Sequence, residues 1–178
     1  MEIKQTIEDP IEPQYQVTVD GEVVVGDPSY MADDVMPEVR EKLTFRFDGT
    51  GSWNVKVTPL ETVPDHRNGA LIAVRTGTEF DVGTWEKEDQ VAAVDSAHMA
   101  FYPLDRGLLD DWEAFWEERS RLASGMAVLI PVDGTLVCSS GLGDGAYDIY
   151  VRRDANAQID GVKVDFTPSD AAMSLLYY

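Results

Sequence analysis

Leu43, Phe45 and Phe47 alternate with Thr44 and Arg46, and after the turn Asp48-Gly49-Thr50-Gly51-Ser52 the alternation resumes at Trp53, Val55 and Val57. A period of two places all of these large side chains on one face of an extended chain. Such an aromatic face must be covered, so the segment predicts a hairpin lying in a sheet with one buried side. The same pattern recurs along the chain. Gln14–Val19 and Glu22–Val25 flank Asp20-Gly21, and Met126–Pro131 and Thr135–Ser139 flank Asp133-Gly134, both turn dipeptides between β-rich runs. Ala70–Arg75 reads as a further strand, Gln90–Pro103 as a β-rich segment with Asp95-Ser96 in its middle, and Ala146–Arg153 pairs with Gln158–Phe166 around Asp154–Ala157.

Helical periodicity is clearest over Asp105–Ala123, where Leu108, Leu109, Trp112, Phe115, Trp116 and Leu122 share one face. Asp105 can cap its start and Gly125 its end. Asp33–Lys42 reads as a short acidic helix with Pro37 in its first turn, and Thr76–Asp89 as a polar connection. The expected fold is therefore α+β: a mainly antiparallel sheet, arranged as a sandwich or a partly closed barrel, with one main amphipathic helix packed on it. Residues 1–13 form an N-terminal arm or edge segment, 14–168 a single domain, and 169–178 a tail that Leu175, Leu176, Tyr177 and Tyr178 would dock.

Composition removes several classes of function. The 178 residues carry 33 Asp+Glu against 14 Lys+Arg, a formal net charge of −19. The basic residues are not clustered beyond Arg152-Arg153, which argues against direct binding of DNA or RNA through phosphates and against anionic membranes. A hydrophobic content of 44% is too high for a disordered acidic tail. Three roles for the acidity remain open: a solvating surface, attraction of a basic protein partner, and imitation of a phosphate array. A single cysteine, Cys138, allows no internal disulfide, and the N-terminus has no signal-like apolar run, so a cytoplasmic protein is expected.

Val137–Phe166 is the least generic stretch. Gly141, Gly143 and Gly145 punctuate a loop with Ser139, Ser140 and Asp144, and the strand beginning near Ala146 follows at once. Earlier, Gly26-Asp27-Pro28-Ser29-Tyr30 ends a strand sharply, because proline restricts Asp27 to extended geometry. The candidate ligand-binding residues fall in three groups: Asp27, Ser29 and Tyr30; Asp95 and Ser96; and Ser139, Ser140, Gly143, Asp144 and Gly145.

These segments resemble a bacterial and phage family of unknown function that carries Gly-Asp-Pro, Val-Asp-Ser and Ser-Gly-x-Gly-Asp-Gly-x-Tyr elements. Here the elements are Gly26-Asp27-Pro28, Val94-Asp95-Ser96 and Ser140–Tyr147, and the resemblance spans about Val23–Phe166. It implies that the three loops form one constellation and that the gene belongs to a phage or another mobile element.

Three carboxylates in close approach need a cation, a proton or amide donors. If Asp27, Asp95 and Asp144 converge, Mg²⁺ or Ca²⁺ with oxygens of Ser29, Ser96 and Ser139 would answer that need, and a metal-dependent hydrolase is one expectation. No catalytic or metal-ligating residue is assigned otherwise. Asp-Pro, Asp-Ser and Asp-Gly are also ordinary turn formers. Asp95, His98 and Ser139 or Ser140 have the residue types of a hydrolase triad but lack the Gly-x-Ser-x-Gly elbow. His66, His98 and one cysteine are too few for a persuasive zinc site. Asp154–Asp165 lacks the glycine of a calcium loop, and the glycine run matches neither phosphate-binding fingerprint. No cofactor is expected apart from that conditional Mg²⁺ or Ca²⁺. The leading expectation is a small acidic, non-enzymatic binding protein with a basic protein partner or a small ligand. A nucleic-acid mimic is a further alternative.

Overall fold

The computed structural model describes residues 2–7, 14–31, 37–60, 68–104, 129–132, 135–141 and 143–167. In chain order its elements are β1 (Glu2–Ile7), β2 (Gln14–Val19), β3 (Glu22–Gly26), a 3₁₀ turn (Pro28–Met31), α1 (Pro37–Leu43), β4 (Phe45–Asp48), β5 (Gly51–Pro59) and β6 (Asn68–Arg75). They continue with β7 (Glu86–Val94), β8 (His98–Pro103), β9 (Leu129–Val132), β10 (Thr135–Ser139), β11 (Gly145–Arg153) and β12 (Ile159–Asp165). The strands form a seven-stranded sheet in the order β1-β2-β5-β6-β12-β11-β7 and a five-stranded sheet in the order β4-β3-β8-β10-β9. Every described pairing is antiparallel.

One cluster of buried side chains is drawn from both sheets, so the two pack face to face as a sandwich. Among the described residues neither sheet closes on itself, so the strands do not form a closed barrel. The hairpin expected over residues 43–57 does not form: β4 pairs with β3 in the five-stranded sheet and β5 with β2 and β6 in the seven-stranded sheet. The chain therefore crosses between sheets after Asp48, and alternation builds the core from both sides. Trp53, Val55 and Val57 are fully buried, with Phe45 and Phe47 beside them. Phe47 meets Trp53 edge-on at 5.3 Å, and Trp53 also reaches Phe101 of β8 at 6.5 Å, which joins the two sheets through aromatic contacts. The indole N–H of Trp53 donates to the Gly49 carbonyl, so this deeply buried ring leaves no orphan donor.

β6 explains its own uninterrupted apolar sequence, because both of its faces are covered. Leu71 and Ala73 enter the inter-sheet core, whereas Ala70, Ile72 and Val74 face outward under Phe80 and Trp85. The loop over residues 76–85 carries those two aromatics and is held by Arg152. That guanidinium is buried and donates to the carbonyls of Glu79 and Val82, pairs with Asp160 at 2.8 Å, and stacks on Trp85. The arrangement uses the planar fork that only arginine supplies.

Two boundaries differ from the sequence reading. Leu43 ends α1 instead of starting β4, and β7 begins at Glu86 inside the segment read as a polar connection. The first four residues of β7, Glu86-Lys87-Glu88-Asp89, lie on an edge strand and are largely exposed, so no apolar alternation marks them. Residues 2–7 of the expected arm are the opposite edge strand. The amphipathic helix expected over Asp105–Ala123, the tail over 169–178 and His66 lie outside the described residues. No helix among the described residues is long and apolar enough to cross a membrane.

Candidate functional site

Asp27 follows β3 directly and is wholly buried. A buried carboxylate is costly unless donors surround it, and here four do. Oδ1 accepts the Ser29 N–H and the Ser96 hydroxyl, both at 2.7 Å. Oδ2 accepts the N–H groups of Asp95 at 2.6 Å and Ser96 at 2.7 Å. Pro28 favours this arrangement, since it keeps Asp27 extended and lets the chain turn at once into the 3₁₀ segment. The carboxylate thus ties the end of β3 to the turn between β7 and β8.

That turn, residues 95–97, is held from three other directions. The Tyr30 hydroxyl donates to Asp95 Oδ2 at 3.0 Å. The Ala97 N–H donates to Asp144 Oδ1 at 2.9 Å, and the Ala97 carbonyl accepts the Ser140 N–H at 3.0 Å. His98 closes it from within the chain, its Nδ1 lying against the Ser96 carbonyl, which makes that ring nitrogen the protonated one. Ala97 sits at φ 59°, in the left-handed region that L-residues other than glycine rarely occupy. The elements holding the turn are therefore working against local strain.

The glycine loop is ordered by its own hydrogen bonds. The Ser140 hydroxyl and the Tyr147 hydroxyl both donate to the Gly143 carbonyl at 2.6 Å. Gly145 pairs with Val94, so the start of β11 lies beside the end of β7, and Asp144 is placed over the turn. Gly141, at φ +68°, fits only because it has no side chain: a Cβ there would stand 2.5 Å from the Asn68 carbonyl oxygen. Ser139 faces elsewhere, its carbonyl and hydroxyl accepting from the Asn68 side-chain amide.

The three acidic loops named from the sequence thus meet, and the turn 95–97 is where they meet. They do so as a latch of carboxylates on amides. Asp27 spends all four of its lone-pair positions on protein donors, while Asp95 and Asp144 are exposed to solvent. Among the described residues no group of three or more His, Cys, Asp or Glu is placed to hold a metal ion. The charges show in Tyr30. Its phenol is pushed well above the ordinary tyrosine range, first by burial, then by its hydrogen bond to Asp95 and by the charges of Asp95, Asp27 and Asp144. Tyr147 is also raised, mainly by burial, with the Ser140 hydrogen bond opposing and the Asp144 charge adding.

Of the ten candidate residues, Asp27, Ser29, Tyr30, Asp95, Ser96, Ser140, Gly143 and Asp144 take part in this network through side chain or backbone, Gly145 positions it, and Ser139 turns toward Asn68. Sequence reasoning missed Ala97, the anchor of the latch, because nothing about an alanine announces a left-handed backbone. It also missed Asn68, 71 residues from Ser139 in the chain. Cys138 is fully buried among core residues, where burial raises its thiol far above the reactive range. Asp154 organises its own turn by accepting the N–H groups of Asn156 and Gln158. Comparison with family models, curated proteins and solved structures finds no match.

Proposed function

We propose that this protein is a non-enzymatic binding protein that offers the joined loops as a recognition surface to a basic protein partner. The observation that carries the reading is the division of labour among the three aspartates. Asp27 is buried and consumed in holding the turn, and Asp95 and Asp144 stand exposed on the support it provides. Carboxylates fixed on a rigid turn lose little entropy when a guanidinium or ammonium group meets them. The net charge of −19 adds long-range attraction for such a partner. The motif resemblance extends the proposal to a phage or mobile-element protein acting on a host component, and the single buried Cys138 suits a reducing cytoplasm. A hydrolase built on all three aspartates has less support, because Asp27 has no lone pair left for a cation.

The test is a thermal-shift titration with an arginine-rich peptide, Mg²⁺, Ca²⁺ and a nucleotide panel. A ligand that binds only the folded state stabilises it by about 2.7 kcal/mol at a hundredfold excess over Kd. Stabilisation by the peptide that disappears in the Asp95→Asn/Asp144→Asn double variant supports the reading. A saturable shift with a divalent cation or a nucleotide, and none with the peptide, replaces it with a small-ligand site.

A further inference from the structure

We draw no further inference here: the strongest candidate, the apolar groove of about 380 Å³ on the outer face of the seven-stranded sheet between Pro59, Leu60, Ala70, Ile72 and Lys163, opens where the chain passes beyond the described residues after Leu60 and Thr167, so nothing in the structure shows what covers it.

Discussion

Asp27 and Ser96, 69 residues apart in the chain, are joined twice: the Ser96 N–H donates to Oδ2 and its hydroxyl to Oδ1, each at 2.7 Å. Replacing the carboxylate by an amide would set an NH₂ group against donors that Asp27 now satisfies. Asp27→Asn is therefore expected to lower stability by about 3 kcal/mol or more, with Ser96→Ala costing about 1–2 kcal/mol. Urea unfolding checks this, with a lower midpoint at unchanged slope for both variants. The double variant should fall short of additivity, since the two residues share their bonds. Additive effects would mean that the two bonds do not couple the loops.

Packing separates two glycines of the same loop. Gly141→Ala introduces a Cβ 2.5 Å from the Asn68 carbonyl and 2.9 Å from Phe166 Cβ, whereas Gly143→Ala meets nothing within 4 Å. Both carry the cost of a left-handed residue, roughly 1–2 kcal/mol, and only Gly141→Ala adds overpacking of about 1–3 kcal/mol. Equal melting temperatures for the two variants would contradict the close approach of β6 to this loop.

Ala97 supplies the reverse experiment. Its φ of 59° suits glycine, so Ala97→Gly should relieve about 1 kcal/mol of strain, offset in part by greater freedom of the unfolded chain. The expected outcome is unchanged or slightly raised stability, while Ala97→Val is clearly destabilised. A marked loss in Ala97→Gly would show that the turn is not held in the left-handed region.

How much of this was legible depended on the distance over which the physics acts. Alternation of Phe45, Phe47, Trp53, Val55 and Val57 is a local signal, and it located two strands and their inward faces, but not that β4 and β5 belong to different sheets instead of pairing as a hairpin. The Asp-Gly dipeptides marked breaks between strands, although β2 and β3 on either side of Asp20-Gly21 lie in different sheets, and Asp27-Pro28 marked a sharp strand end. The strand order was not legible, because pairings such as β12 with β6 depend on contacts that no local pattern encodes. The start of β7 was hidden because an exposed edge strand needs no apolar face. The convergence of three acidic loops was open to suspicion from their shared residue types, yet its form was not. Whether a carboxylate holds a cation or a row of amides is decided by where the 95–97 backbone points, and Ala97 gave no sign of that.

Alkaline titration probes Tyr30. Its folded-state pKa lies above the unfolded value of about 10, so between the two the folded chain holds a proton that the unfolded chain has lost. The stability associated with this group is complete below about pH 10 and declines as the pH rises beyond it. Tyr30→Phe should cost about 1 kcal/mol at neutral pH and make the decline above pH 10 shallower. An alkaline limb of unchanged slope would argue against a Tyr30 phenol enclosed by Asp95, Asp27 and Asp144.

Arg152 is the clip for the loop over residues 76–85. Its bonds to the Glu79 and Val82 carbonyls and to Asp160 diverge in directions that one ammonium group cannot match. Arg152→Lys is expected to destabilise by about 2–4 kcal/mol. Amide exchange should quicken over 76–85 ahead of the inter-sheet core, and uniform acceleration throughout would contradict this local role.

The central claim, that Asp95 and Asp144 on their latched turn form the recognition surface, is tested most directly by titrating ¹⁵N-labelled protein with an arginine-rich peptide and following each backbone amide. Shifts are expected to concentrate at Ala97, Gly143, Asp144 and Gly145, to weaken with salt and to vanish in Asp95→Asn/Asp144→Asn, whose spectrum remains that of a folded protein. Shifts spread over the acidic surface at large, and unaffected by that double variant, would contradict it.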